Sequence, residues 1–329
     1  MRVLVAGGAG YIGAHMVRAL LGAGHQVVCL DNLATGHRAA LPAGVRLLEV
    51  DLLDGPAVAA AVRDAAPEAV MHFSARSLVG ESVVEPALYY ANNVTGTLHL
   101  LGAMGAAGCD RFVFSSTAAL FGNPERTPID ETHPVAPINP YGASKQMVEQ
   151  ILADFDRAYG LRYVALRYFN AAGAAPGGEI GEDHRPESHL IPLVLKTALG
   201  QREAITLFGT DYPTADGTCV RDYIHVDDLC TAHLLALDHL AAGGESRRYN
   251  LGNGAGFSVR EVIDTARTVT GREIPVVEGA RRPGDPATLV ADSRRITGEL
   301  GWRPRYPELA TIIDHAWQWH RRHPEGYGG

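Results

Sequence analysis

Residues 2–13 read RVLVAGGAGYIG, and the order of their parts decides the fold. RVLVAG is a short run of branched apolar residues, the composition of a strand buried on both faces. Glycines at 7, 10 and 13 follow it, and the segment from about 11 to 23 has the pattern of a helix. In a strand-turn-helix of this kind Gly7 permits the tight turn and Gly10 lets the backbone approach a pyrophosphate. Gly13 lets helix and strand pack closely, with the phosphates at the helix N-terminus. A glycine turn by itself is a weak sign. Here QVVCLD (26–31) supplies a second strand ending at Asp31, 18 residues after Gly13, where a carboxylate accepts hydrogen bonds from an adenosine ribose. That carboxylate repels the extra phosphate of NADP, so NAD is the expected dinucleotide. Asp51, after the third strand, reads either as an adenine contact or as a cap for a helix beginning near Gly55-Pro56.

The alternation continues outward from this unit. VRLLEV (45–50), AVMHFS (69–74), RFVFSS (111–116) and YVALRYF (163–169) read as further strands, with helices at about 56–65, 86–107 and 140–159 between them. Each helix is long enough for a right-handed crossover. This predicts an α/β, Rossmann-type, doubly wound parallel sheet over residues 1–170. From 171 to 329 the pattern loosens through the Gly- and Pro-rich AAGAAPGGEIGEDHRP into a smaller mixed α/β domain for a nucleotide sugar, with the boundary approximate and elements free to interleave.

The chain has 329 residues, 46% of them hydrophobic, enough for well-filled cores. A formal net charge of −8 and the lack of a dense Lys/Arg run exclude nucleic acid as an expected partner. No apolar run reaches the roughly 18 residues of a membrane span, and no leader is expected ahead of the first strand. Cys29, Cys109, Cys219 and Cys230 lack metal-ligand spacing and read as reduced packing residues of a cytoplasmic protein. EDHRPESH (182–189) has no recognised ligand spacing either and reads as a solvated loop, so no metal is expected.

NPYGASK (139–145) carries the chemistry. Asn139 is a good N-cap, Pro140 suits the first helical position, and Tyr141 falls in the first turn, where the helix dipole favours a phenolate. Lys145, four residues on, shares its face. Lys145 and the positive ring of a bound nicotinamide are expected to lower the phenol's pKa, so that it takes a proton from a sugar hydroxyl while hydride leaves the same carbon. Ser115, Ser116 and Thr117 stand at the C-terminal end of the fifth strand, where ligands of open α/β sheets bind.

GAGYIGAH, YGASK, these hydroxyls and RYFNAAG (167–173) together resemble the extended short-chain dehydrogenase/reductases. HFSARSLVGESV (72–83), YYANNVTGT (89–97), GTCVRDYIHVDDL (217–229) and RRPGDP (281–286) resemble, within them, the UDP-glucose 4-epimerase family, over nearly the whole chain. The resemblance implies reversible NAD-dependent 4-epimerisation of UDP-galactose and UDP-glucose through a 4-keto intermediate. It implies Tyr141 as base, Lys145 as its partner and a binder of the nicotinamide ribose, and Thr117 as the hydroxyl on the sugar. Cofactor contacts are expected from Gly7, Gly10, Tyr11, Ile12, Gly13, Asp31, Asn32, Asp51, Leu52, Phe73, Ser74, Asn92, Tyr141, Lys145 and Phe169. Substrate contacts are expected from Thr117, Asn170, Arg221, Arg282, Asp285 and Leu289. A homodimer joined through helices near 86–107 and 140–159 is also implied.

Four positions depart from the family's habit. Thr117 stands for a frequent serine, Phe121 for a common tyrosine, and Ser77 for a lysine near the cofactor. Leu289 is smaller than the tyrosine of strict relatives, which leaves UDP-N-acetylhexosamine or UDP-pentose 4-epimerisation open. A nucleotide-sugar 4,6-dehydratase needs an acidic pair beside the threonine, where this chain has Ala118 and Ala119. A non-catalytic NAD sensor would need neither the Tyr-Lys-hydroxyl set nor the arginine-bearing C-terminal segments.

Overall fold

A computed structural model describes residues 1–282 and 285–328. The chain opens with β1 (Arg2–Ala6), α1 (Tyr11–Gly22), β2 (Gln26–Asp31), β3 (Arg46–Glu49), α2 (Gly55–Ala65) and β4 (Ala69–His72). It continues with α3 (Val79–Val84), α4 (Pro86–Tyr90), α5 (Gly96–Ala106), β5 (Arg111–Thr117), α6 (Pro140–Tyr159) and β6 (Arg162–Tyr168). The six expected strands are present, and a seventh, Arg247–Leu251, joins them in the order Arg247–Leu251, β6, β5, β4, β1, β2, β3, with every pair parallel. From β1 the chain winds out to β3 and then returns to β4 on the other side. The switch in direction opens a crevice at the C-terminal ends of β1 and β4.

The branched runs form strands here because both faces are covered. Along β1, Val3 and Val5 pack in one core with Met16, Val17 and Leu20 of α1, while Leu4 and Ala6 pack in the opposite core with Val62, Leu100, Met104 and Val148. Full burial of each such side chain contributes about 1.5–3 kcal/mol, so slipping the strand by one residue would exchange the two sets and is strongly disfavoured.

The expected division at 170/171 is crossed by later elements. Helix Val226–Ala241 lends Leu229 and Leu237 to the core under α1, and Arg247–Leu251 is the sheet's edge strand beside β6. The rest forms small sheets: Asn170–Ala172 with Tyr223–His225, Ile205–Phe208 with Val276–Gly279, and Val220–Arg221 between Phe257–Ser258 and Thr288–Leu289. A third core lies among helices Leu190–Ala198, Val259–Thr270 and Leu309–Arg322.

The single helix expected over 86–107 is interrupted. Residues Ala91–Thr95 form a π-helical turn between α4 and α5. The extra residue turns Asn93 inward, where its amide accepts from Arg76 N (2.9 Å) and donates to Arg76 O (3.0 Å) and Ser144 Oγ (3.0 Å). Periodicity does not register a one-residue bulge, and such bulges occur often at functional sites. Among the described residues no helix is long and apolar enough to cross a membrane. The four cysteines are buried free thiols.

Candidate active site

The glycine turn is held by contacts that leave little room for other residues. Gly7 has φ 78°, and a Cβ on it would lie 2.4 Å from Ser74 N. A Cβ on Gly13 would lie 2.0 Å from Gly7 O, so Gly13 brings α1 against the turn itself rather than against the strand. Gly10 is the N-cap of α1 and makes no side-chain cap, so no capping side chain competes for the first amides of the helix, as an anion site requires. Ile12 is half-buried beside them. Tyr11 donates its hydroxyl to Gly173 O at 2.7 Å, tying the turn to the start of the later chain.

Asp31 is buried at the end of β2, its oxygens accepting from Ala9 N and Leu33 N, both at 2.9 Å. Burial raises its pKa and the backbone amides oppose that. Each oxygen retains a lone pair for a further donor. Asn32 donates to Asp51 Oδ2 (2.9 Å), and Asp51 Oδ1 accepts from Leu53 N (2.8 Å). The helix-cap reading of Asp51 is corrected: Asp54 caps α2, accepting from Ala57 N at 3.0 Å. Leu52 is buried against Gly96, the Phe73 ring packs tilted at 4.9 Å from the His233 ring, and Ser74 N donates to Ala6 O at 3.1 Å. Asn92 lies in the π turn and donates to Asn93 Oδ1 (2.9 Å).

At the next strand ends, Asn139 caps α6 by accepting from Gly142 N at 2.8 Å. A Cβ on Gly142 would lie 2.5 Å from Ala119 O, so the first turn of α6 presses on the segment after β5. This contact brings Tyr141 to Thr117, whose Oγ1 accepts from Ala119 N (3.1 Å). Lys145 is 3% exposed, with Nζ donating to Ser115 O at 2.8 Å and lying 4.8 Å from the Phe114 ring centroid.

The expected lowering of the Tyr141 pKa is not a property of the protein alone. Burial raises it, and the Thr117 hydroxyl pulls it back. Burial also brings Lys145 down to about 7 against the attraction of Glu149, so its ammonium is itself disfavoured in the bare site. Low dielectric penalises phenolate and ammonium alike, which helix position cannot reveal.

Ser115 and Ser116 are committed elsewhere. Ser115 Oγ bonds Tyr168 Oη, and Ser116 Oγ donates to Glu149 Oε1 at 2.6 Å. Arg167 clamps Glu149 with bonds of 2.9 and 2.6 Å, and Arg248 Nε lies 3.1 Å from it. Thr117 is thus the hydroxyl left for the phenol. Glu149 and Asn93 were not anticipated. Glu149 had a signal, since it continues the i, i+4 series Tyr141, Lys145 on one helix face.

The residues expected to contact substrate gather around the small sheets. Arg221 and Leu289 are register partners on neighbouring strands, and Arg221 Nη2 donates to Asp285 Oδ1 at 3.1 Å. Leu289 and Phe169 pack on Ala118 and Phe121, which joins this half to the Thr117 segment. Phe121 is fully buried, with His133 at 5.5 Å, so a tyrosine hydroxyl is not needed for its packing. Asn170 donates to Asp222 O (3.1 Å), and Arg282 lies 4.0 Å over the Phe208 ring. Within RRPGDP, Pro283 and Gly284 lie outside the described residues.

The solvated-loop reading of EDHRPESH holds for Arg185, Pro186, Ser188 and His189, which are exposed, but not for its two glutamates. The side chains of Glu182 and Glu187 are only 4% and 3% exposed, because the segment folds back under the chain's last helix, with Trp319 Nε1 donating to Glu182 O at 3.0 Å.

The pattern of the NAD dependent epimerase/dehydratase family matches residues 3–252. The chain is 54% identical to the UDP-glucose 4-epimerase of Halalkalibacterium halodurans over 327 residues, 99% of this chain and 98% of that one. It is similar to a crystal structure of UDP-glucose 4-epimerase at 52% identity and TM-score 0.97, covering 99% of both chains. It is also similar to the UDP-glucose 4-epimerase of Brucella ovis in complex with NAD, at 48% identity and TM-score 0.93, covering 96% of this chain and 97% of that one.

Proposed function

This chain belongs to the NAD dependent epimerase/dehydratase family, and from that premise we propose how its own residues carry the reaction. The reaction is the reversible NAD-dependent 4-epimerisation of UDP-galactose and UDP-glucose through a 4-keto intermediate. One juxtaposition supports the residue roles above the others: the Tyr141 phenol, the Thr117 hydroxyl and the buried Lys145 ammonium meet at the C-terminal end of β5.

The glycine turn fits NAD, since Gly7 and Gly13 are required by close contacts and the first amides of α1 carry no side-chain cap. Gly7, Gly10, Tyr11, Ile12 and Gly13 hold its pyrophosphate, and Asp31, Asn32, Asp51 and Leu52 its adenosine. Phe73, Ser74, Asn92, Lys145 and Phe169 line the way to the nicotinamide. When bound, NAD supplies the acceptor and then the donor of hydride at C4. Tyr141 takes the 4-hydroxyl proton as the C4–O bond becomes a carbonyl, and returns it when the carbonyl is reduced. Thr117 hydrogen-bonds the same oxygen in both directions. Lys145, fixed on Ser115 O, supplies positive charge beside the phenol and a donor to the ribose. Arg221, Arg282, Asp285 and Asn170 hold the nucleotide end, fork-shaped donors suiting a diphosphate. The ketone turns about that tether and presents its other face. Ala118 and Ala119 offer no acid or base for a dehydration.

Pure protein incubated with UDP-galactose and no added nucleotide is expected to form UDP-glucose. Failure by NAD-replete protein rejects the activity, and binding of NAD without turnover favours the sensor. Leu289, packed with Phe121 and Phe169, supports a second reading in which UDP-N-acetylgalactosamine is also accepted. The chain is further proposed to work in the cytoplasm as a homodimer. Val83 and Val84 of α3, Leu98 of α5 and Met147 of α6 are exposed apolar residues on or beside the helices expected to join the protomers. Light scattering at the monomer mass rejects the dimer.

A further inference from the structure

We propose that Glu182, His184, Glu187 and His189 bind one divalent transition-metal ion of the zinc class. One donor atom from each residue lies within 4.8 Å of the others. Glu182 Oε1 is 3.0 Å from His184 Nδ1 and in direct contact with His189 Nδ1. Glu187 Oε2 is 3.9 Å from His184 Nδ1, and its Oε1 is 3.8 Å from His189 Nδ1. Four ligands at tetrahedral zinc distances stand roughly 3.3–3.5 Å apart, so small side-chain movements close the shell.

A second observation points to a ligand. The Glu187 side chain is 97% buried by its 3% exposure, and among the described residues its Oε2 accepts no hydrogen bond although it faces the cluster. The other oxygen, Oε1, is fixed by Ser188 N at 2.7 Å and His189 N at 2.9 Å, so the carboxylate cannot turn away to find a partner. A buried polar atom without a partner is costly, and a metal bond satisfies it.

The donors select the ion. Two imidazole nitrogens with two carboxylate oxygens suit zinc and its neighbours, whereas calcium and magnesium prefer oxygen alone. Two carboxylates and a divalent cation also sum to zero charge inside the protein. His189 is 49% exposed and gives the ion a way in. The site fastens the 182–189 segment ahead of helix Leu190–Ala198, under Trp319, with the His184 ring 6.4 Å from Tyr11 of the glycine turn. The site takes no part in the epimerisation steps above.

The test uses untagged full-length protein stripped with a chelator and then titrated with zinc chloride. Bound zinc at one per chain and a Tm rise of about 5 °C are expected at saturating ion. Glu187→Gln and His184→Gln should each weaken zinc binding by more than about tenfold, the cost of disturbing even an outer-shell partner. Cobalt(II) should give a visible ligand-field band in the native protein that both variants lose. The His184 side chain is 28% exposed, so its variant keeps the test valid if Glu187→Gln does not fold, with circular dichroism as the check. Absence of bound zinc, or equal affinity in native protein and folded variants, overturns the proposal.

Discussion

The two ends of the proposed active site are built to different tolerances. At the β5–α6 end Lys145 is 3% exposed and anchored on Ser115 O, and behind it Glu149 is shared by Ser116, Arg167 and Arg248. At the proposed nucleotide end, Arg221 and Asp285 have side chains 13% and 34% exposed, Arg221 rides on a two-residue strand, and Arg282 lies exposed across Phe208. Proton and hydride transfer need groups fixed to fractions of an ångström, which regular elements and buried networks provide. In the proposed reaction the sugar turns over and needs a tether that yields, and a two-residue strand with a partly exposed ion pair leaves that freedom.

The largest expected effect tests the tight end directly. Tyr141→Phe should lower turnover by roughly 10²–10⁴-fold with bound NAD unchanged; near-native kcat would remove the phenol from its role and the contrast with it. Glu149→Ala should cost about 3–5 kcal/mol in urea unfolding, because it leaves Arg167 buried without its partner. Asp285→Ala should cost less, because the Asp285 carboxylate is one-third exposed and Arg221 keeps its bond to Val220 O, and similar losses in both would erase the distinction. Arg221→Lys should raise KM for UDP-galactose by roughly tenfold or more while leaving kcat nearly intact, since the fork is lost but not the charge. A drop confined to kcat would mean that the nucleotide end also positions the reacting carbon.

A further test of the tight end is a pH slope. Lys145 is depressed in the folded protein from its ordinary 10.5 to about 7, burial being the main cause. Between those values the unfolded chain holds a proton that the folded chain has released. The cost of burying the ammonium is therefore complete below pH 7 and is relieved as pH rises from 7 toward 10.5. The stability of the native protein minus that of Lys145→Met should rise by about 1.4 kcal/mol per pH unit in that window, read from urea midpoints at several pH values in NAD-free protein. A flat difference would mean that the ammonium is better solvated than its burial indicates.

Much of this was legible in the chain because it rests on neighbours within a few residues. The branched runs, the glycines at 7, 10 and 13, the Asn139-Pro140 helix start and the spacing of Tyr141 and Lys145 are short-range patterns, and they specified the sheet, the glycine turn and the start of the helix that carries Tyr141 and Lys145. What escaped was decided across long separations. The Tyr11 hydroxyl reaches Gly173, Arg247–Leu251 completes a sheet begun at Arg2, and Asn93 reaches Ser144. The inward fold of residues 182–189 depends on the helix that carries Trp319. The affinity of Tyr141 and Lys145 for their protons follows the same rule. Helix spacing placed the two side chains together, while the dielectric around them was set by everything packed against them, and only the tertiary structure assembles that.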